Sequence, residues 1–108
     1  MKMYIAVLDE FPDYMVPTLV AHSVLSYSLE FSGTGVYQSW LAESFKKVVL
    51  RVNQKEFDKI SLMNNVHLGH ENKTLGGRKS CAVCISTGND IPNVLKYAKL
   101  WRPINEQV

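Results

Sequence analysis

Apolar residues along this chain form short β-rich runs that alternate with longer amphipathic stretches. The run from Met3 to Leu8 is almost entirely apolar, which predicts a strand buried on both faces. From Val16 to Phe31 apolar residues recur at spacings of three and four, and this spacing predicts a helix with one apolar stripe. Pro17 supports a helix start here, because proline is favoured in the first helical turn. The predicted stripe consists of Val16, Val20, Val24, Tyr27 and Phe31.

The middle of the chain repeats this alternation. A short second helix is predicted over Val36–Ser44, with Trp40 and Leu41 buried. The β-branched run Lys46–Val52 predicts a second strand. Asn53 is the predicted N-cap of a third helix that runs to about Met63. The side chains that this helix offers to the core are Phe57, Ile60 and Leu62.

The last third predicts two strands and a helix. Val66–Gly69 and Ser80–Ile85 are the strands, and the final helix begins near Pro92. The order β-α-α-β-α-β-β-α predicts a mostly parallel sheet with helices on both faces. Because no helix separates the third and fourth strands, one strand should run antiparallel. We therefore predict a single domain over residues 1–108, an α/β fold in three layers (α/β/α) around a four-stranded mixed sheet.

Charge is unevenly distributed between the two halves of the chain. Residues 1–45 contain one base and five acids, a net charge of −4, whereas residues 46–108 contain eleven bases and five acids, a net charge of +6. The second half therefore predicts either a solvated surface or a basic face suited to phosphates. The longest apolar run has six residues, which is too short for a membrane span or a signal peptide. We expect a cytoplasmic protein with no membrane partner.

Two histidines and two cysteines have spacings that invite a zinc hypothesis: His67, His70, Cys81 and Cys84. The predicted strands argue against it, since residues three apart on a strand point to opposite faces. Free cysteines also commonly behave as small buried apolar groups. Walker-type loops and dinucleotide motifs are missing from the sequence. We predict no metal and no cofactor.

The polar connection before the fourth strand contains the candidate chemistry. His70 could act as a general base for water or for Thr74, although ordinary turn chemistry explains the same residues. Lys73, Arg78 and Lys79 flank this turn and could hold a phosphate backbone, or form a solvated loop tip. The acidic loop of Asp9, Glu10 and Asp13 could bind a cation or an amine, or be plainly solvated.

In the order of these pieces the chain resembles the type II peptidyl-tRNA hydrolases of archaea and eukaryotes. The resemblance extends from Met3 to about Trp101. It rests on the first strand, on the helix bearing Ala21-His22-Ser23, on Trp40-Leu41 followed by Lys46–Val52, and on Lys73-Thr74 before the strand that begins at Ser80. The resemblance implies that family's fold, a homodimer, and hydrolysis of the ester joining a peptide to the 3′ end of tRNA.

The implied catalytic groups are a lysine at the start of helix 1, a carboxylate before the threonine turn, and hydroxyls from the turn and the next strand. Thr74 and Ser80 keep the hydroxyls, but Met15 stands where the lysine is expected and His70 where the carboxylate is expected. A thioether cannot stabilise a developing oxyanion. His22 fits either a packed helix position or a substrate-binding one.

Three functional hypotheses follow. The first is a peptidyl-tRNA hydrolase II-like enzyme that uses His70, Thr74 and Ser80, with Lys73, Arg78, Lys79 and His22 binding substrate. The second is an inactive binding module on the same fold, for a nucleotide, an RNA end or a protein partner. The third is an enzyme of changed chemistry centred on His70 and Thr74. All three require Met15, His70 and Thr74 to become neighbours at one edge of the sheet.

Overall fold

The computed structural model describes residues 1–71, 78–88 and 91–103, with residues 70 and 71 described by their backbone alone. The strands are β1 Lys2–Leu8, β2 Lys47–Val52, β3 His67–Glu71, β4 Arg78–Ser86 and β5 Lys99–Leu100. The helices are α1 Val16–Phe31, α2 Gly35–Ser39, α3 Gln54–Ser61 and α4 Asn93–Lys96. A 3₁₀ turn over Asp13–Met15 leads into α1, and a π-helical turn over Trp40–Ser44 follows α2.

All five strands belong to one mixed sheet with the order β3-β4-β1-β2-β5. β1 and β2 are parallel, with Met3 opposite Lys47 and Leu8 opposite Val52. β4 runs antiparallel to both β1 and β3, and β5 runs antiparallel to β2. The α/β class predicted from the sequence is confirmed, but the predicted count of four strands is wrong. The prediction of a mostly parallel sheet is wrong as well, because three of the four strand pairs described are antiparallel. β5 is a two-residue strand that forms by pairing with β2, and its sequence carries no alternating pattern that would have revealed it.

β1 lies at the centre of the sheet. Every residue from Met3 to Leu8 is buried, so both of its faces are covered, as the apolar run predicted. Helix α1 packs against β3, β4 and β1, and α3 packs against β1, β2 and β4. The largest fully buried side chains include Trp40, Phe57, Met3, Ile5 and Leu19.

Helix α1 begins and ends where the sequence predicted, but its buried face is rotated from the predicted stripe. The fully buried residues are Val16, Leu19, Ser23 and Tyr27, while Val20, Val24 and Phe31 are partly buried. The rotation places the small side chain of Ser23 against Gly69 of β3. A periodicity that counts only apolar residues passes over a serine at the centre of the contact.

Two leucines predicted to be buried are exposed. Leu62 follows the last residue of α3 and is 87% exposed. Leu41 lies on the π-helical turn and is 44% exposed, whereas its neighbour Trp40 is buried as predicted. The Trp40 indole N–H donates to the Lys46 carbonyl at 2.8 Å, which fixes the turn against the start of β2. Leu41 then points away from the core.

The longest described helix has 16 residues. Within the part of the chain that the structure describes, none of the helices has the length and apolarity that a membrane span requires.

Candidate functional site

The loop after β1 is held by charges from the second half of the chain. Glu10 forms a salt bridge with Arg78 at the start of β4, and the Arg78 guanidinium also lies 5.1 Å from the centre of the Phe11 ring. Asp13 pairs with Arg51 of β2, with 3.2 Å between the carboxylate oxygen and the guanidinium nitrogen. Two acids of the predicted acidic loop therefore neutralise two bases of the basic half.

A cleft of about 460 Å³ opens beside Arg78, between the end of β1 and helix α3. Clefts of this size commonly hold small ligands. Its wall contains two carboxylates and two cations, and the Gln54 amide donates to Asp58 at 2.8 Å. The lining residues are Leu8, Glu10, Gln54, Phe57, Asp58, Ser61, Leu62, Arg78 and Lys79.

Arg78 and Lys79 are the two predicted substrate-binding residues that the structure places in this cleft. Both side chains are exposed. Arg78 is already paired with Glu10, whereas Lys79 makes no ion pair with the other residues that the structure describes. Exposed leucine Leu62 contributes an apolar wall. The cleft can therefore bind a group with one anionic part and one apolar part.

Ser80 lies one residue further along β4 and is buried, with 2% of its surface exposed. Its hydroxyl donates to the Gly69 carbonyl at 3.4 Å, next to an irregularity in the β3–β4 register between Gly69 and His70. Ser23 of α1 approaches the same glycine. The Ser80 hydroxyl therefore links β4 to β3 on the side of the sheet that faces helix α1.

Most of the predicted catalytic turn lies outside the residues that the structure describes. His70 is opposite Lys79 in the β3–β4 ladder, and its side chain lies outside the described residues. Lys73 and Thr74 belong to residues 72–77, which the structure does not describe. The proximity of Met15, His70 and Thr74 therefore stays a prediction.

The other two histidines lie on the α1 side of the sheet. His22 is exposed on α1 and is not a packed core residue. Nδ1 of His67 on β3 lies 2.6 Å from a carboxylate oxygen of Glu30 on α1. This pair joins helix to sheet and gives His67 a structural partner.

Met15 occupies the place where the resemblance expects a lysine. It is the residue before α1, is half-buried, and packs against the core. The cation that reaches this turn is Arg51, through its contact with Asp13. Arg51 also donates to the Arg102 carbonyl at 2.5 Å and lies 5.2 Å from the centre of the Trp101 ring. Three partners thus fix its guanidinium.

The contact between Arg51 and Trp101 was not predicted from the sequence. A signal was present, since an arginine between apolar residues of a predicted strand needs a partner for its charge wherever the strand is covered. What the sequence lacked was any indication that residues 99–101 return to β2.

Cys81 and Cys84 are both buried on β4 and are not joined in a disulfide. Cys81 is opposite Val7 and Cys84 is opposite Tyr4, which are three apart on β1 and so on opposite faces. Burial raises the pKa of the Cys84 thiol from 9.0 to about 11. Among the described residues, no group of three or more His, Cys, Asp or Glu side chains is placed to hold a metal ion.

No protein-family model matches the chain. A search of curated proteins likewise found none with significant similarity.

Proposed function

We propose that this chain is a peptidyl-tRNA hydrolase II-like domain that binds the 3′ end of an RNA without cleaving an ester. The RNA end comes from the sequence resemblance. The observation that carries the loss of cleavage is Met15, a half-buried thioether at the position of the expected lysine. A neutral side chain there provides nothing to stabilise the oxyanion of ester hydrolysis.

Arg51 does not replace that lysine in the proposed site. Its guanidinium is paired with Asp13 and has 15% side-chain exposure, so its charge is neutralised and largely covered. An oxyanion would have to displace Asp13 from the guanidinium, and breaking a partly buried ion pair is unfavourable. The absence of a free cation at this turn, within the described residues, favours binding over cleavage.

The cleft beside Arg78 is the proposed binding place. Arg78 and Lys79 would contact phosphate oxygens, and the exposed Leu62 would contact the apolar face of a terminal base. The wall contains equal numbers of carboxylates and cations among its described residues. Binding should therefore be moderate and salt-dependent, as for a local contact with one or two phosphates.

The binding part is tested with a fluorescently labelled tRNA that carries an intact 3′ end. Arg78→Ala with Lys79→Ala should weaken binding roughly tenfold at low salt and lower the slope of log K against log salt by about 1.4. Lys55→Ala with Lys59→Ala is the matched control, because it removes two exposed lysines of α3 that do not line this cleft. Equal losses in both pairs, or no binding by wild type, would overturn the proposal.

The cleavage part is tested with a labelled N-acetyl-aminoacyl-tRNA. Wild type should not release the label above the spontaneous rate, whereas Met15→Lys should gain roughly tenfold over Met15→Gln, a neutral variant of similar length. Near-ultraviolet circular dichroism checks that both variants fold. Catalytic release by wild type would show that the domain is a hydrolase. A folded Met15→Lys that stays at the spontaneous rate would contradict the assignment of Met15 to the lysine position.

A further inference from the structure

The positive charge of the second half of the chain is concentrated in two segments. Residues 46–52 and 93–103 together contain six bases and no acids, whereas the remainder of residues 46–108 contains five bases and five acids. These segments therefore account for the entire net charge of +6. We call their six bases the basic edge: Lys46, Lys47, Arg51, Lys96, Lys99 and Arg102.

The fold brings these two segments together at one side of the sheet. β5 pairs with β2, with Arg51 opposite Lys99 and Leu50 opposite Leu100. The backbone N–H of Trp101 then donates to the Val49 carbonyl at 2.9 Å. Because β5 is the last strand in the sheet order, the cations gather where the sheet meets solvent.

Most of this charge is available to a ligand. Five of the six cations are exposed, and among the residues that the structure describes only Arg51 of the six pairs with a carboxylate, that of Asp13. On one side, a groove of about 330 Å³ runs beside Leu100 and is flanked by Lys2 and Lys96. The positive surface therefore extends over the rim of the sheet.

Aromatic rings accompany the cations of β2. The Lys47 ammonium lies 3.1 Å from the centre of the Phe45 ring, and this ring is 58% exposed. Four residues further along the strand, a span of about 13 Å, Arg51 lies against the half-buried Trp101 ring. Cations that follow an extended line with aromatic faces beside them are typical of surfaces that bind single-stranded nucleic acids.

We propose that the basic edge binds a single-stranded segment of nucleic acid, with its cations on the phosphates and Phe45 stacked against a base. An acidic peptide would use the charges but gives no role to the exposed ring. The inference does not depend on Met15 or on the cleft, so it can fail or succeed separately from the proposed function.

The test uses anisotropy to measure binding of a fluorescein-labelled 12-nucleotide oligouridylate, which has no aminoacyl ester and no tRNA fold. Lys99→Gln with Arg102→Gln should weaken binding at least tenfold at low salt and lower the slope of log K against log salt by about 1.4. Lys55→Gln with Lys59→Gln removes the same charge from α3 and should change affinity less than twofold. Equal losses in the two pairs would overturn the proposal, because only net charge would then matter.

A second variant separates nucleic acid from other polyanions. Phe45→Ala should weaken the oligouridylate at least fivefold and leave binding of inorganic polyphosphate unchanged, since stacking requires a base. Urea unfolding checks that each variant folds. The proposal is wrong if Phe45→Ala changes binding of neither probe. It is also wrong if the protein binds anionic lipid vesicles as tightly as the oligonucleotide and the Lys99→Gln with Arg102→Gln variant loses that binding, because the surface then serves a different partner.

Discussion

Gly69 determines how closely α1 can approach the sheet. A Cβ built at Gly69 would collide with the Ser23 hydroxyl and would lie 3.6 Å from the Ser80 hydroxyl. Both serines are buried, so neither can move its side chain into solvent without moving the helix. Three small residues from α1, β3 and β4 therefore allow a close contact that larger side chains would prevent.

Gly69→Ala should lower the free energy of unfolding by about 1–3 kcal/mol, because the added methyl group overpacks this contact. Ser23→Ala in the same chain removes the colliding oxygen and should recover at least about 1 kcal/mol, which a double-mutant cycle in urea would measure. Gly33→Ala is the control, since a Cβ there meets nothing within 4 Å, and it should stay within about 0.5 kcal/mol. A Gly69→Ala protein as stable as wild type would contradict the close contact.

At the scale of elements, α3 is stabilised both by its local sequence and by tertiary packing. The helix has eight residues, too few to be stable alone in water. A capping box closes its start: the Asn53 side chain accepts from the Glu56 N–H at 2.8 Å, and the Glu56 carboxylate accepts from the Asn53 N–H at 2.9 Å. Phe57 and Ile60 then bury its inner face.

Asn53→Ala should cost about 1 kcal/mol of stability, because it leaves a helical N–H without its acceptor. Lys55→Ala changes an exposed residue of the same turn and should cost less than about 0.5 kcal/mol. Thermal unfolding followed by circular dichroism compares the two. The capping assignment would be incorrect if the two variants melted together.

The elements that the sequence predicted well are those with strong local signals. β1 is predicted by an unbroken apolar run, α1 by its periodicity, and the start of α3 by Asn53. The wrong prediction that Leu62 is buried has a different cause. Leu62 follows a helix end, where the path of the chain, not its periodicity, decides the direction of the side chain.

The candidate site was less predictable than the fold because it depends on contacts between distant residues. Arg78 and Lys79 were recognised as cations beside a turn, and the structure places both in the cleft. The salt bridge that joins Arg78 to Glu10, 68 positions earlier, has no local signature. The pairing of β5 with β2, which assembles the basic edge, is of the same long-range kind.

At the scale of the whole molecule, some charges of the acidic first half pair with charges of the basic second half. Glu10 and Asp13 from the first half neutralise Arg78 and Arg51 from the second. Five of the ten other cations belong to the basic edge. Net charge alone would have suggested a weakly basic protein, whereas the fold concentrates the excess in one place.

The buried core also sets how the whole molecule responds to alkaline pH. Burial raises the pKa of Cys84 to about 11 from 9.0 and that of Tyr27 to about 12 from 10.0. Both groups therefore hold their protons more tightly when folded than when unfolded. The stability that these two groups contribute is fully present below pH 9. It is lost as pH rises, first between about pH 9 and 11 for Cys84 and then between about pH 10 and 12 for Tyr27.

The free energy of unfolding in urea should therefore fall by about 2 kcal/mol between pH 8 and pH 11 from Cys84 alone. Cys84→Ala should be less stable at pH 8, because it leaves a cavity, but its stability should fall less steeply over the same range. Tyr14→Phe changes a side chain that is 83% exposed and is the control substitution outside the core. An unchanged slope in Cys84→Ala would contradict this prediction, because it would mean that burial on β4 does not hinder ionisation of the thiol.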